Sequence, residues 1–205
     1  MISKLKKIVG KKGAAEQAGF TLIETLLAIL ILATAITGPL TIAAKGLQLA
    51  LIAKDQVTAI YLAQDAIEYI RYIRDSDRLS FSPSDWLAGL DGTSNGHTTD
   101  SGGAQANCLG GNMCIVDSLQ NQITYCGTSL AACAASPLYF NQSGGDYTYT
   151  TAGTTKSIFS RTVSVVTQNV NSGLNEADVT VTVQWKDIGG ITRSVVLRED
   201  LFNWQ

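Results

Sequence analysis

The stretch GFTLIETLLAILILATAI, residues 19–36, contains one charged residue, Glu24, among mostly apolar side chains. The uncharged run then continues to residue 44, so residues 20–44 are long enough to cross a bilayer as a helix. A carboxylate at the centre of such a segment costs about 3 kcal/mol on membrane insertion, and less near an end of the segment. We therefore expect Glu24 to have a positively charged partner that offsets this cost.

A basic leader precedes the apolar run. Residues 1–19 carry five lysines, Lys4, Lys6, Lys7, Lys11 and Lys12, against one acid, Glu16. Clustered positive charge stays on the cytoplasmic side of a membrane. The sequence therefore predicts a single-pass protein of the inner membrane, with everything after residue 44 on the extracytoplasmic side.

The chain beyond the leader is acidic. Losing the five lysines and one glutamate of residues 1–19 changes the formal net charge from −2 to −6. Between residues 79 and 155 there is neither Lys nor Arg. A phosphate backbone is bound mainly through such cations, so we expect no direct nucleic-acid partner for this chain.

The helical pattern continues past the apolar segment. Apolar residues recur at steps of three and four through Ala63, Ile67 and Ile70, which predicts an amphipathic helix over residues 45–78. Pro39 lies inside the preceding apolar part. Because proline removes a backbone hydrogen bond and crowds the preceding turn, we expect a bend or a melted turn there.

Residues 79–146 are rich in Gly, Ser, Asn and Thr, which predicts a long connection with little regular structure. Outside the cytoplasm, its four cysteines indicate two disulfides, although sequence leaves three pairings open. The short separations, with glycines between or beside the cysteines, favour Cys108 with Cys114 and Cys126 with Cys133. Zinc is the alternative, but no CxxC motif or neighbouring His supports it. We expect neither a metal nor a cofactor.

Residues 147–205 change to a period of two. Val179, Val181 and Val183 alternate with polar residues, which is typical of strands with one buried face. Turn residues at 171–175 and 187–190 predict antiparallel hairpins. In 205 residues there is room for one modest domain beside the apolar helix. We predict an α+β fold in which three or four antiparallel strands cover the amphipathic helix.

The order of these features resembles a known processing signature. A lysine-rich leader, Gly19, Phe20, the carboxylate of Glu24 and about twenty apolar residues resemble the N-terminus of type IV pilins and type II secretion pseudopilins. A long helix followed by a β-rich domain is also that family's organisation. The segment YLAQDAIEYIRYIRD, residues 61–75, with a C-terminus of three strands, is most similar to minor pilins of the PilV kind and to I-type minor pseudopilins.

The resemblance implies a function in filament assembly. Prepilin peptidase would cut between Gly19 and Phe20 and the new amino group of Phe20 would be methylated, while Glu24 would contact the N-terminus of a neighbouring subunit. The helix-breaking Pro39 would belong to the same assembly segment. The implied partners are other pilin or pseudopilin subunits and the assembly platform in the membrane. The chain would be a minor subunit of an extracellular pilus or of a periplasmic pseudopilus.

Two other classes of protein remain as alternatives. One is a membrane-anchored binding module or adhesin that contacts a ligand through Tyr147, Tyr149 or Trp185, although their strand spacing favours packing within the sheet. The other is a secreted enzyme released after Ala35 or Ala44. No HExxH motif is present, and the single histidine, His97, lies in a polar tract with no second metal ligand placed beside it. We expect no catalytic residue and no enzymatic activity.

Overall fold

The computed structural model describes residues 19–80, 86–90, 108–170 and 173–203. Two compact units divide the chain, Met1–Leu47 and Gln48–Gln205. The elements are α1 Leu22–Ser80, β1 Met113–Asp117, β2 Gln122–Gly127, α2 Leu130–Ala134, β3 Tyr139–Asn141, β4 Asp146–Thr148, β5 Thr155–Lys156, β6 Ser160–Val170, β7 Gly173–Lys186 and β8 Thr192–Phe202. This order, one long helix and then antiparallel strands, confirms the predicted α+β fold.

Helix α1 is continuous through Pro39. The expectation of a melted turn at that position is therefore wrong for the single chain. Proline removes one backbone hydrogen bond, and the neighbouring turns keep theirs. The hydroxyls of Thr34, Thr37 and Thr41 also donate to carbonyls of the same helix at 2.8–3.1 Å. One missing hydrogen bond does not interrupt a helix supported on both sides.

The main sheet has five antiparallel strands in the order β2-β1-β6-β7-β8. In the β6–β7 ladder Val163 pairs with Val181 and Val165 with Val179, so these side chains share one face. All four valines are buried. The period-two pattern therefore predicted the buried face of the sheet correctly.

The segment between the helix and the last strands is more regular than its composition indicated. Strands β1, β2 and β3 and helix α2 lie within residues 108–146, and β3 joins β4 and β5 in a second sheet of order β4-β3-β5. The expected irregular connection and the expected three or four strands are therefore wrong. Short apolar stretches around Val116 and Ile123, both fully buried, form the strands despite the polar composition of the whole segment. His97 and residues 171–172 lie outside the described residues.

The amphipathic part of α1 packs against the five-stranded sheet. Its buried residues are Ala59, Leu62, Ala63, Ala66, Ile67, Tyr69, Ile70 and Ile73, and they belong to the same hydrophobic core as the β6 and β7 valines. Burial of this stripe begins at Ala59, and Val57 just before it is 51% exposed. Removing this stripe from water is the main stabilisation of the unit.

A fully buried arginine crosses this core. The Arg161 guanidinium on β6 donates to the Leu62 carbonyl of α1 at 2.8 Å, to Asp65 at 2.6 Å and to the Val116 carbonyl of β1. The Arg161 carbonyl accepts a hydrogen bond from the Tyr149 hydroxyl at 3.0 Å. Burial raises the pKa of Tyr149 to about 12, so this phenol stays a donor at neutral pH. One side chain thus connects a helix and two strands.

Two disulfides close short loops beside β1 and β2. Cys108 is bonded to Cys114, and Cys126 to Cys133, which is the pairing favoured from the spacing. The second bond links β2 to helix α2. Both bonds limit the freedom of the unfolded chain.

Replacing Arg161 by Met should destabilise the Gln48–Gln205 unit by about 3 kcal/mol, because buried carbonyl groups lose their donor. Denaturant unfolding of the full chain in detergent, followed by tryptophan fluorescence, measures this. Arg198→Met, at an exposed position on β8, is the matched control and should change stability by less than about 0.5 kcal/mol. Equal effects of the two substitutions would contradict the role of Arg161.

For the disulfides, thiol labelling of the exported, denatured protein should find no reactive cysteine before reduction and four after it. Peptide mapping without reductant should recover Cys108 linked to Cys114 and Cys126 linked to Cys133. The reduced sample is the control for labelling efficiency. Any labelled cysteine before reduction, or a crossed pair of peptides, would contradict the observed connectivity.

Candidate processing and assembly site

The N-terminal end of α1 is defined by Thr21. Its carbonyl accepts hydrogen bonds from the backbone N–H groups of Glu24 at 3.1 Å and Thr25 at 3.2 Å, and its hydroxyl accepts from Glu24 N–H at 3.4 Å. A threonine in this position caps a helix. Gly19 and Phe20 therefore lie just outside the helix, in extended or irregular backbone.

The peptide bond between Gly19 and Phe20 is open to other molecules. Among the described residues, no heavy atom would lie within 4 Å of a Cβ atom added to Gly19. The Phe20 side chain is 80% exposed. A peptidase could reach this bond without unfolding any described part of the chain.

Glu24 lies in the first turn of α1 and is exposed. An acid in this position is stabilised by the helix dipole, typically by about 0.3–1 kcal/mol. In the described part of the chain, Glu24 forms no ion pair. Its carboxylate is therefore free to pair with a cation of another molecule. Pro39 lies further along the same helix, and the four cysteines belong to the other unit.

The surface of this part of α1 is apolar and uncovered. Every side chain of residues 19–51 is exposed, and the structure describes one helix long and apolar enough to cross a membrane, Leu22–Leu79. The hydroxyls of Thr25 and Thr34 donate to carbonyls of their own helix, so they need no water. Such a surface is stable in lipid or against other apolar helices.

Residues 15–38 match the prokaryotic N-terminal methylation motif. The matched range includes Gly19, Phe20 and Glu24. Comparisons with curated proteins and with solved structures gave no significant match. The motif, the apolar helix and the antiparallel sheets together support the type IV pilin and pseudopilin family. The helix and motif also fit a membrane-anchored protein.

The aromatic residues considered as ligand contacts lie mostly in the core. Trp185 is 3% exposed and its ring centroid is 5.9 Å from that of Phe159. The Tyr147 ring lies between Phe140 at 5.1 Å and Phe159 at 6.1 Å. These contacts favour a packing role over ligand stacking.

One cluster was not recognised from the sequence. Lys54, Lys156 and Lys186 are the three lysines after residue 48, and clefts at one end of the Gln48–Gln205 unit contain all three. Neighbouring members are 102 and 30 residues apart in sequence, so only the tertiary structure brings them together. The scarcity of lysine in this part of the sequence is the one signal that could have drawn attention to them.

Gly19→Ala should block or strongly slow removal of the leader, because the family that this N-terminus resembles demands glycine before the cut. Gel mobility of the protein in cells that contain prepilin peptidase reports the cut. Gly13→Ala, at a second glycine of the leader, is the control and should be processed normally. Complete processing of the Gly19 variant would contradict cleavage between Gly19 and Phe20.

Proposed function

We propose that the chain is a minor type IV pilin. It is made with residues 1–19 as a leader, inserted in the inner membrane and cut after Gly19 by prepilin peptidase. The new N-terminus at Phe20 is methylated, and the subunit then enters or primes a pilus. The observation that carries this proposal is an exposed Glu24 at the start of an uncovered apolar helix, within the methylation motif and without an ion pair to any described residue.

Cleavage would supply a positively charged partner for Glu24. The free amino group of Phe20 is protonated at neutral pH, and methylation keeps it basic. In apolar surroundings two opposite charges attract strongly, while a charge without a partner is strongly disfavoured. The cut therefore gives every subunit one cation and one anion near the same end of α1. A neighbouring subunit can satisfy both.

Pairing between subunits explains why the helix is longer than a membrane segment requires. Leu47 and Leu49 are each 66% exposed and Leu51 is 40% exposed, all beyond the predicted membrane segment. Contact with other apolar helices would cover these side chains. A charge pair at one end of such a bundle fixes how far each helix slides along its neighbours, because apolar contacts alone specify register weakly.

The likeness of residues 61–75 to minor subunits favours a minor component over the main building block of the filament. A minor pseudopilin of a type II secretion system uses the same N-terminal chemistry and is the alternative. In that case the filament would be periplasmic. The partners in either case are other subunits, the peptidase and the membrane assembly platform. We propose an assembly role, and no catalytic one.

The Glu24→Gln variant should still lose its leader normally. Its incorporation into filaments should fall by about two orders of magnitude, because losing a buried charge pair costs about 3 kcal/mol. The measurement is the ratio of the protein in sheared filaments to that in the membrane fraction. It identifies the filament type at the same time, since pili and pseudopili are recovered separately.

Thr25→Ala is the matched control for this substitution. The Thr25 hydroxyl donates to the Leu22 carbonyl of its own helix at 2.9 Å, so its loss should leave incorporation unchanged. Normal incorporation of the Glu24 variant would exclude the charge-pair mechanism. Absence of the unaltered protein from every filament fraction would instead favour a membrane-anchored binding module.

A further inference from the structure

We propose that one end of the Gln48–Gln205 unit binds the surface of an anionic phospholipid membrane. This contact surface, the lysine–isoleucine end, consists of Lys54, Lys156, Lys186, Ile158, Ile188 and Ile191. The inference requires that α1 is anchored in a membrane, which the proposed function also assumes. It does not require that the chain enters a filament.

All three lysines of this unit lie at the same end. Lys156 and Lys186 line one cleft, and Lys54 and Lys156 line a second. Each of these lysines is exposed. Asp55 lines the second cleft and partly offsets their charge, whereas the first cleft has no acidic lining residue. A surface with three exposed cations and one half-buried anion attracts anionic headgroups.

Three exposed isoleucines accompany these lysines. Ile188 and Ile191, in the turn between β7 and β8, are 68% and 62% exposed, and Ile158 in the first cleft is 52% exposed. Single exposed apolar residues are common on protein surfaces. Three large ones beside three lysines form the combination that inserts into the boundary between headgroups and acyl chains.

The turn that carries two of these isoleucines is held rigidly. The buried carboxylate of Asp187 accepts hydrogen bonds from the backbone N–H groups of Gly189 and Ile191, both at 2.9 Å, and from the Arg193 side chain at 2.8 Å. The Arg193 contact lowers the pKa of Asp187, so the pair stays ionised and adds no net charge. The turn therefore presents its isoleucines outward in a fixed geometry.

Contacts along α1 identify which end of the unit this is. At the other end of β8, Glu199 accepts a hydrogen bond from Arg71 at 2.6 Å, and Phe202 lines a cleft with Arg78. The lysine–isoleucine end instead contains Lys54, which lies near the start of the unit at residue 48. The chain enters there from the apolar segment, whose exposed apolar side chains continue to Leu51.

The charge of the opposite end favours the same orientation. Carboxylate oxygens of Glu176, Asp178 and Asp200 lie within 4.8 Å of one another near the start of β7 and the end of β8. Eight residues of extended strand separate Asp178 from Lys186, about 26 Å at the usual rise. Arg71 and Arg78 also lie toward the opposite end, where Arg71 is paired with Glu68 and Glu199. An anionic membrane would therefore attract the lysine–isoleucine end more strongly than the opposite end. This would hold the unit on the membrane surface until the subunit is extracted.

Tryptophan quenching in lipid nanodiscs tests this contact directly. The full chain carrying Ile188→Trp is placed in nanodiscs whose lipids have brominated acyl chains, either phosphatidylcholine only or phosphatidylcholine with phosphatidylglycerol. Val166→Trp is the matched control, because Val166 is an exposed apolar residue on β6, 45% exposed and outside both lysine clefts. Ile191→Trp is a second probe of the same turn.

We expect more quenching of the Ile188→Trp and Ile191→Trp probes than of the control when phosphatidylglycerol is present, and a loss of this difference at high salt. Adding Lys156→Gln and Lys186→Gln should lower the ratio of bound to unbound units by about fivefold for each lysine removed. Unfolding midpoints of all variants confirm that they are folded.

Equal quenching of the probes and the control in both lipids would overturn the proposal. Quenching of the probes that does not depend on phosphatidylglycerol would overturn the anionic recognition. If the lysine substitutions reduced incorporation into filaments while the probes stayed unquenched, this end would contact a neighbouring subunit and the membrane proposal would be wrong. None of these results depends on whether Glu24 forms its charge pair.

Discussion

Among the residues that the structure describes, Glu24 forms no ion pair, and the proposed assembly function depends on that imbalance of charge. The carboxylate is placed in the first turn of α1, where every surrounding side chain is apolar or bonded to its own helix. In lipid or in a bundle of apolar helices an unpaired carboxylate is unfavourable. The imbalance therefore disfavours the isolated subunit and favours any arrangement that brings a cation to this position.

After residue 51 the same helix packs against its own unit. There its apolar stripe is covered by the five-stranded sheet, and the buried Arg161 joins the helix to β1 and β6 through backbone carbonyls. Removing one partner from such a buried set leaves polar groups without hydrogen bonds, which costs more than the contact itself contributes. The helix is thus apolar and uncovered in one part, and packed within its own unit in the other.

Features of the fold and the site that depend on residues close together in sequence could be predicted, and features that depend on contacts between distant residues could not. The apolar run, the period-two strands of β6 to β8 and the short cysteine loops are local patterns, and sequence was sufficient for each. Strands β1 and β2 were missed because their few apolar residues lie in a polar segment, and because β1 pairs with the distant strand β6. Arg161 reads as a surface cation within a strand until its helix contacts are known. The lysine–isoleucine end exists only once residues 54, 156 and 186 come together.

The most direct test of the account is the N-terminus of the mature protein. Intact mass and the N-terminal peptide should be measured for the membrane-extracted chain, from cells with and without prepilin peptidase. The account predicts a chain that begins at methylated Phe20 when the peptidase is present and an uncut chain when it is absent. A chain beginning at Met1 or Ile2 in both would contradict it, because Glu24 would then have no processed N-terminus as its partner.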